Sequence, residues 1–223
     1  MKIKTAFRVS PLVFVLMSWP TAAQESRLIV PGERVGPVAE ETSEAELIAQ
    51  LPTEQVRRVL YSLGEGAAGC GTEIFSGTDD VVVIGWWGDD VEYELDNAAD
   101  LAECQSRQGF VRPGSVMIET SAGNWHTDAG IRLGMTLSDL ARLGGEPISV
   151  SVCPCDFGGF VEARDEQVPE GLELWADFPL NADYAYANVI DATADYMLSS
   201  RDIGESAEGD FIISRMIVAV GGK

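Results

Sequence analysis

The chain has 223 residues, with 36 acidic against 15 basic side chains, one histidine and a net charge of −21 at pH 7. That balance argues against nucleic acid or anionic lipid as a partner, because holding phosphate needs clustered Lys and Arg. The acids are interspersed with apolar residues, so they describe the solvated surface of a folded protein rather than a disordered acidic tail.

Residues 1–23 read as a secretory leader. Lys2, Lys4 and Arg8 form a basic start, an apolar run follows from Pro11 to Trp19, and Thr21-Ala22-Ala23 is an A-x-A-like cleavage site. The run is too short to span a bilayer, and no later stretch is long and apolar enough to be a transmembrane segment. The expected product, cleaved after Ala23, is periplasmic or secreted.

Ser43 followed by Glu46, with Leu47, Ile48 and Leu51 spaced behind them, predicts a capped amphipathic helix that Pro52 stops. Val56, Val59, Leu60 and Leu63 recur at helical spacing and predict a second short helix from Thr53. Beyond the Gly-rich stretch 64–71, Thr72–Ser76 and Val81–Trp87 flank Gly77-Thr78-Asp79-Asp80 and predict a hairpin. Asp96–Gln105 reads as helix and Ser115–Glu119 as strand. Thr136 with Asp139 starts another helix, carrying Leu140 and Leu143, that ends at Gly144-Gly145. Strands are expected at 148–153, 160–164, 172–178 and 211–220, with a polar loop holding a helical turn at 181–209.

Pro31–Leu47 and Ala129–Leu140 echo each other: a Gly, a short extended piece, then a hydroxyl with an acid three positions later. The expected architecture is therefore α+β, with two related halves, 24–120 and 121–223. Each packs short helices on an antiparallel sheet, and no Pro- or Ser-rich linker divides the single compact unit.

Four cysteines in an exported chain point to disulfides. Cys104 is expected to pair with Cys70 or with one of Cys153 and Cys155; a Cys153–Cys155 bond would close a very small, strained ring across Pro154. The Cys-Pro-Cys unit also fits a redox pair or a soft-metal site.

The catalytic motifs are incomplete. Gly64-Glu65-Gly66-Ala67-Ala68-Gly69 matches G-x-G-x-x-G but does not sit between a strand and a helix, so it reads as a connector. Asp156-Phe157-Gly158 has no kinase context. His126, between Trp125 and Thr127-Asp128, has no nucleophile motif to serve. Asp79-Asp80 and Asp89-Asp90, each beside Gly, read as turn formers. No cofactor or metal set is recognisable. Trp86, Trp87 and Trp125 (with Trp175 a further indole) are the candidate partner-binding residues, since Trp86 and Trp87 on one strand face opposite ways and a one-sided sheet turns one of them outward.

The pattern Gly130-x-x-x-Gly134-Met135-Thr136-x-x-x-Leu140 resembles the opening of the repeat in β-lactamase-inhibitor-protein and SmpA-like envelope modules, where two short helices pack on a small antiparallel sheet. Val35-Gly36-Pro37 with its capped helix, Cys70–Phe75, and Trp125-His126-Thr127 through Cys155–Gly159 resemble a family of uncharacterised bacterial exported proteins with such tandem repeats. The likeness covers most of 28–163, leaving the insertion 92–112 and the tail from 180 without a counterpart. It implies a fold and a compartment; inhibition does not transfer with a fold. The expected function is that of an exported, non-catalytic protein binding an envelope or extracellular macromolecule, preferably a basic one. The alternative is a periplasmic thiol-redox or metal-handling protein using Cys153-Pro154-Cys155.

Overall fold

The computed structural model of the protein describes residues 27–64, 66–88, 91–119, 123–145, 147–151, 159–163, 167–177, 197–200 and 211–221. The leader, Asp89-Asp90, Cys153-Pro154-Cys155, Asp156-Phe157-Gly158 and most of 181–209 lie outside these residues.

In chain order the strands are β1 (Leu28–Val30), β2 (Arg34–Val35), β3 (Val38–Ala39), β4 (Val56–Gly64), β5 (Ala67–Ile74), β6 (Val82–Trp86) and β7 (Tyr93–Glu94). They continue as β8 (Pro113–Ile118), β9 (His126–Thr127), β10 (Ser149–Ser151), β11 (Val161–Glu162), β12 (Leu172–Asp177), β13 (Met197–Ser199) and β14 (Ile212–Ala219). The helices are α1 (Glu44–Gln50), α2 (Ala98–Ser106) and α3 (Leu137–Gly144). The fold is α+β, as the sequence predicts.

Each helix begins where a side chain can accept a free backbone amide. At α1 the Glu46 amide donates to Ser43 Oγ while Glu46 Oε2 accepts from the Ser43 amide at 2.8 Å, a complete capping box. Asn97 caps α2 and Thr136 caps α3, which ends at Gly145 in the left-handed conformation.

The expected helix from Thr53 to Leu63 is overturned. A 3-10 turn at Thr53–Gln55 leads directly into β4, which pairs along its whole length with β5. Short apolar runs satisfy helical and strand spacing equally, and β-branched Val56 and Val59 with Tyr61 favour the strand. The stretch 64–71, read as a connector, is one only at its start: Gly64 and Gly66 take positive φ at the β4–β5 turn, and Ala67–Gly71 belong to β5 and pair with β4.

The main sheet is antiparallel and runs β12-β14-β8-β6-β5-β4, with β7 pairing β5 beyond the end of β6. Its strands come from both halves of the chain. One line of register partners crosses it as Arg58, Thr72, Ile84, Val116, Val218 and Leu172, and all but Arg58 are buried. The adjacent line runs Arg57, Glu73, Val83, Met117, Ile217 and Glu173, and each of these keeps some exposure. Alternation on a strand thus gives the sheet a packed face and an open face.

Onto this core the chain adds a four-stranded sheet, β3-β2-β1-β9, and a three-stranded one, β11-β10-β13. Just ahead of the two segments that echo each other in sequence, β1 and β9 are parallel neighbours, Leu28 opposite His126. The motif around Gly130 also has a physical reading. Gly130 and Gly134 take positive φ, Ile213 donates its amide to the Met135 carbonyl and accepts from the Gly134 amide, and Ile131, Leu133 and Leu140 are buried.

Candidate functional site

The packed face is fastened by a buried polar network. Glu44, in the first turn of α1, is only 3% exposed. Its carboxylate accepts from Arg58 Nε at 2.9 Å, Arg58 Nη2 at 2.6 Å and Thr72 Oγ1 at 2.8 Å. Burial alone would raise the Glu44 carboxyl, but the hydrogen bonds and charge of Arg58 and the Thr72 hydroxyl outweigh it, leaving it below the ordinary glutamate value. Arg58 Nη1 donates in turn to the carbonyls of Cys104, Gln105 and Arg107, at the C-terminal end of α2. The Cys70–Cys104 disulfide, with Cα atoms 5.5 Å apart and a sequence separation of 34, ties the same helix to β5. It is one of the pairings the sequence left open.

Two of the three expected partner-binding tryptophans belong to this interior, which corrects their assignment. Trp86, 5% exposed, donates from Nε1 to Thr72 Oγ1 at 3.0 Å and stacks on Phe110 with centroids 5.4 Å apart. Trp125, 2% exposed, donates to the Asp80 carbonyl and packs beside Phe75, while the Arg27 guanidinium lies 4.2 Å over the Phe75 ring. Asp80 also accepts from the Asn124 amide and pairs with Arg27 at 2.9 Å. Asp79-Asp80 therefore belongs to a stitched turn. An indole whose donor is satisfied inside and whose ring is stacked has nothing left to offer a partner.

Trp87 is different. It is 61% exposed, with the Arg112 guanidinium 5.9 Å from its ring centre, and a Cβ at Gly114 would lie 3.5 Å from it. Beside it the open face has an unusual floor of glycine. The Tyr61 ring lies across three strands, so that Cβ atoms at Gly69, Gly71 and Gly85 would each fall within 3 Å of it. The Tyr61 side chain thus covers the glycines and fills the space their missing side chains leave. Burial raises the Tyr61 phenol above its ordinary value. Val83, Met117 and Ile217 continue this surface across the sheet.

A groove of about 470 Å³ runs along the edge of β4, between Arg57–Leu60 and the α2 residues Ala98, Leu101 and Gln105, closed at one end by Leu95-Asp96-Asn97. Sequence reasoning missed both Tyr61 and this groove. The available signal was Gly69 and Gly71 two apart, facing an aromatic, which becomes readable once β4 is known to be a strand.

The His126 ring sits with Nδ1 2.8 Å from the Asn124 carbonyl, which can only accept, so Nδ1 carries the proton. Among the described residues no hydroxyl or thiol bonds to this ring, and no three His, Cys, Asp or Glu side chains converge as a metal site. No described helix is long and apolar enough to cross a membrane.

The site and fold define an α+β protein with one open sheet face. Comparison with known protein families, curated proteins and solved structures finds no match to this chain.

Proposed function

We propose that the chain is an exported, non-catalytic binding protein that engages an envelope or extracellular macromolecule through the open face of its main sheet. The observation that carries this reading is the face itself. An apolar strip of Val83, Met117 and Ile217 is joined to Tyr61 on its glycine floor and edged by exposed Trp87. Exposed Trp87, with the part-exposed Tyr61 and Met117, supplies the aromatic and Met side chains that interfaces favour. With 36 acidic residues against 15 basic, the surface attracts a cationic partner.

Export is supported by the leader's basic start, apolar run and Ala23 site, together with the Cys70–Cys104 bond, since disulfides persist in oxidising compartments. The resemblance to exported proteins with β-lactamase-inhibitor-protein/SmpA-like repeats adds a compartment to the proposal and no activity.

The test is affinity capture from envelope extracts of the source cells with residues 24–223 as bait. One enriched macromolecule is expected, with binding weakened about tenfold or more when Met117 and Ile217 become Lys or Trp87 becomes Ala, the loss usual for central anchors. A partner held equally by both folded variants, or an empty eluate, would overturn the reading.

A second reading follows from the disulfide. With Cys70 bonded to Cys104, Cys153-Pro154-Cys155 holds the remaining two cysteines. Thiol titration and metal analysis of the native protein separate the readings, since two reactive thiols or a bound metal ion would favour a redox or metal role.

A further inference from the structure

We infer that the groove between β4 and α2 is a strand-addition site for an extended polypeptide segment in which Lys or Arg alternates with apolar side chains. β4 ends the sheet, and among the described residues no strand pairs with its outer edge. An edge strand presents a row of backbone N–H and C=O groups that can extend the ladder. Four consecutive β4 residues, Arg57 to Leu60, line the groove, so the backbone edge itself faces it. Opposite stand Ala98, Leu101 and Gln105, at positions i, i+3 and i+7 of α2, which form one helical face. A strand laid here would have β4 on one side and a helix wall on the other.

The side-chain chemistry selects the occupant. Val59, Leu60, Leu101 and Leu95 (42% exposed) give an apolar lining for alternate side chains. The two arginines in the lining are already matched to carboxylates, Arg57 to Glu73 at 2.7 Å and Arg58 to Glu44 at 2.6 Å. Asp96 therefore leaves the groove net negative, within a molecule of charge −21. A cationic segment is attracted, whereas a second copy of this acidic chain is repelled. The walls are also fixed in advance. The Cys70–Cys104 bond and the Arg58 donations fasten the end of α2 to the sheet, so docking orders little besides the incoming segment. The groove lies on the sheet's edge, and the inference does not depend on the open face binding anything.

The test titrates the disulfide-intact chain 24–223 with the acetylated, amidated hexapeptide KVKLKV. Its controls are EVELEV and a KVKLKV methylated at alternate backbone nitrogens. KVKLKV is expected to bind and to slow amide hydrogen exchange within residues 57–60. EVELEV and the methylated peptide should each bind about tenfold more weakly or worse, a loss equivalent to one or two net hydrogen bonds. A folded Leu101→Lys variant should lose KVKLKV similarly, while Met117→Lys on the open face leaves it unchanged. Equal binding of the methylated peptide, unchanged exchange at 57–60, or sensitivity to Met117→Lys in place of Leu101→Lys would overturn the inference. The methylated peptide keeps the test decisive even if Leu101→Lys fails to fold.

Discussion

Glu44 can hold a charge in the interior because every direction its carboxylate faces supplies a donor, two nitrogens of Arg58 and the Thr72 hydroxyl. Such a pair contributes little over an apolar substitute, but removing one member strands the other. Glu44→Gln is therefore expected to cost about 3 kcal/mol at pH 7, read as a lower urea midpoint. The sign of the pH dependence follows from the depressed carboxyl. The stabilisation is complete above the ordinary glutamate value, about 4.3, and is lost as pH falls through the lower folded value. Glu73 acts in the same sense: burial opposes ionisation, but hydrogen bonds from Arg57 and Ser76 and the Arg57 charge prevail. Wild type should lose stability as pH falls below the ordinary glutamate value of about 4.3, and Glu44→Gln should show a shallower loss over the same descent. Equal slopes would show that the network does not titrate with folding.

At the scale of elements, β4 and its glycine partners are the decisive piece. A Cβ at Gly71 would lie 2.7 Å from the Ile84 carbonyl oxygen, a backbone atom of the neighbouring strand. At Gly85 the nearest atoms are the Tyr61 hydroxyl at 2.7 Å and Ser115 Oγ at 3.0 Å, both able to turn aside. Gly71→Ala should accordingly destabilise by about 1–3 kcal/mol and Gly85→Ala by less, measured by urea unfolding; the reverse order would refute the packing argument. The elements legible in the sequence were those announced locally. Ser43 and Thr136 are caps, the Gly77–Asp80 turn opens on Gly77, and the strands expected at 115–119, 172–178 and 211–220 are bounded apolar runs. β4 was not legible, because its apolar spacing fits a helix too, and only pairing with β5 decides between them. Strand alternation likewise shows that Trp86 and Trp87 part company, yet gives no indication of which faces inward. Thr72 and Phe110 settle that from 14 and 24 residues away, and Asp80 buries Trp125 from 45 residues away.

For the molecule as a whole, a net charge of −21 means that folding gathers mutually repelling carboxylates. Raising NaCl from about 10 mM to about 200 mM shortens the screening length from about 30 Å to below 10 Å, and Tm should rise by about 2–4 °C for each kcal/mol of repulsion relieved. A fall in Tm would mean that attractive surface pairs such as Arg112–Glu40 outweigh the repulsion. Charge and covering thus divide the protein into a heavily solvated exterior and one sheet whose strands come from residues 56–118 and 172–219 alike. Strand order also has a consequence for register. Among the described residues β14 is the strand that joins β12 to the rest of the main sheet, and it lies last in chain order. The alignment of Leu172–Asp177 with Pro113–Ile118 is therefore passed through residues 212–219, which act as a common ruler for two distant stretches of the chain.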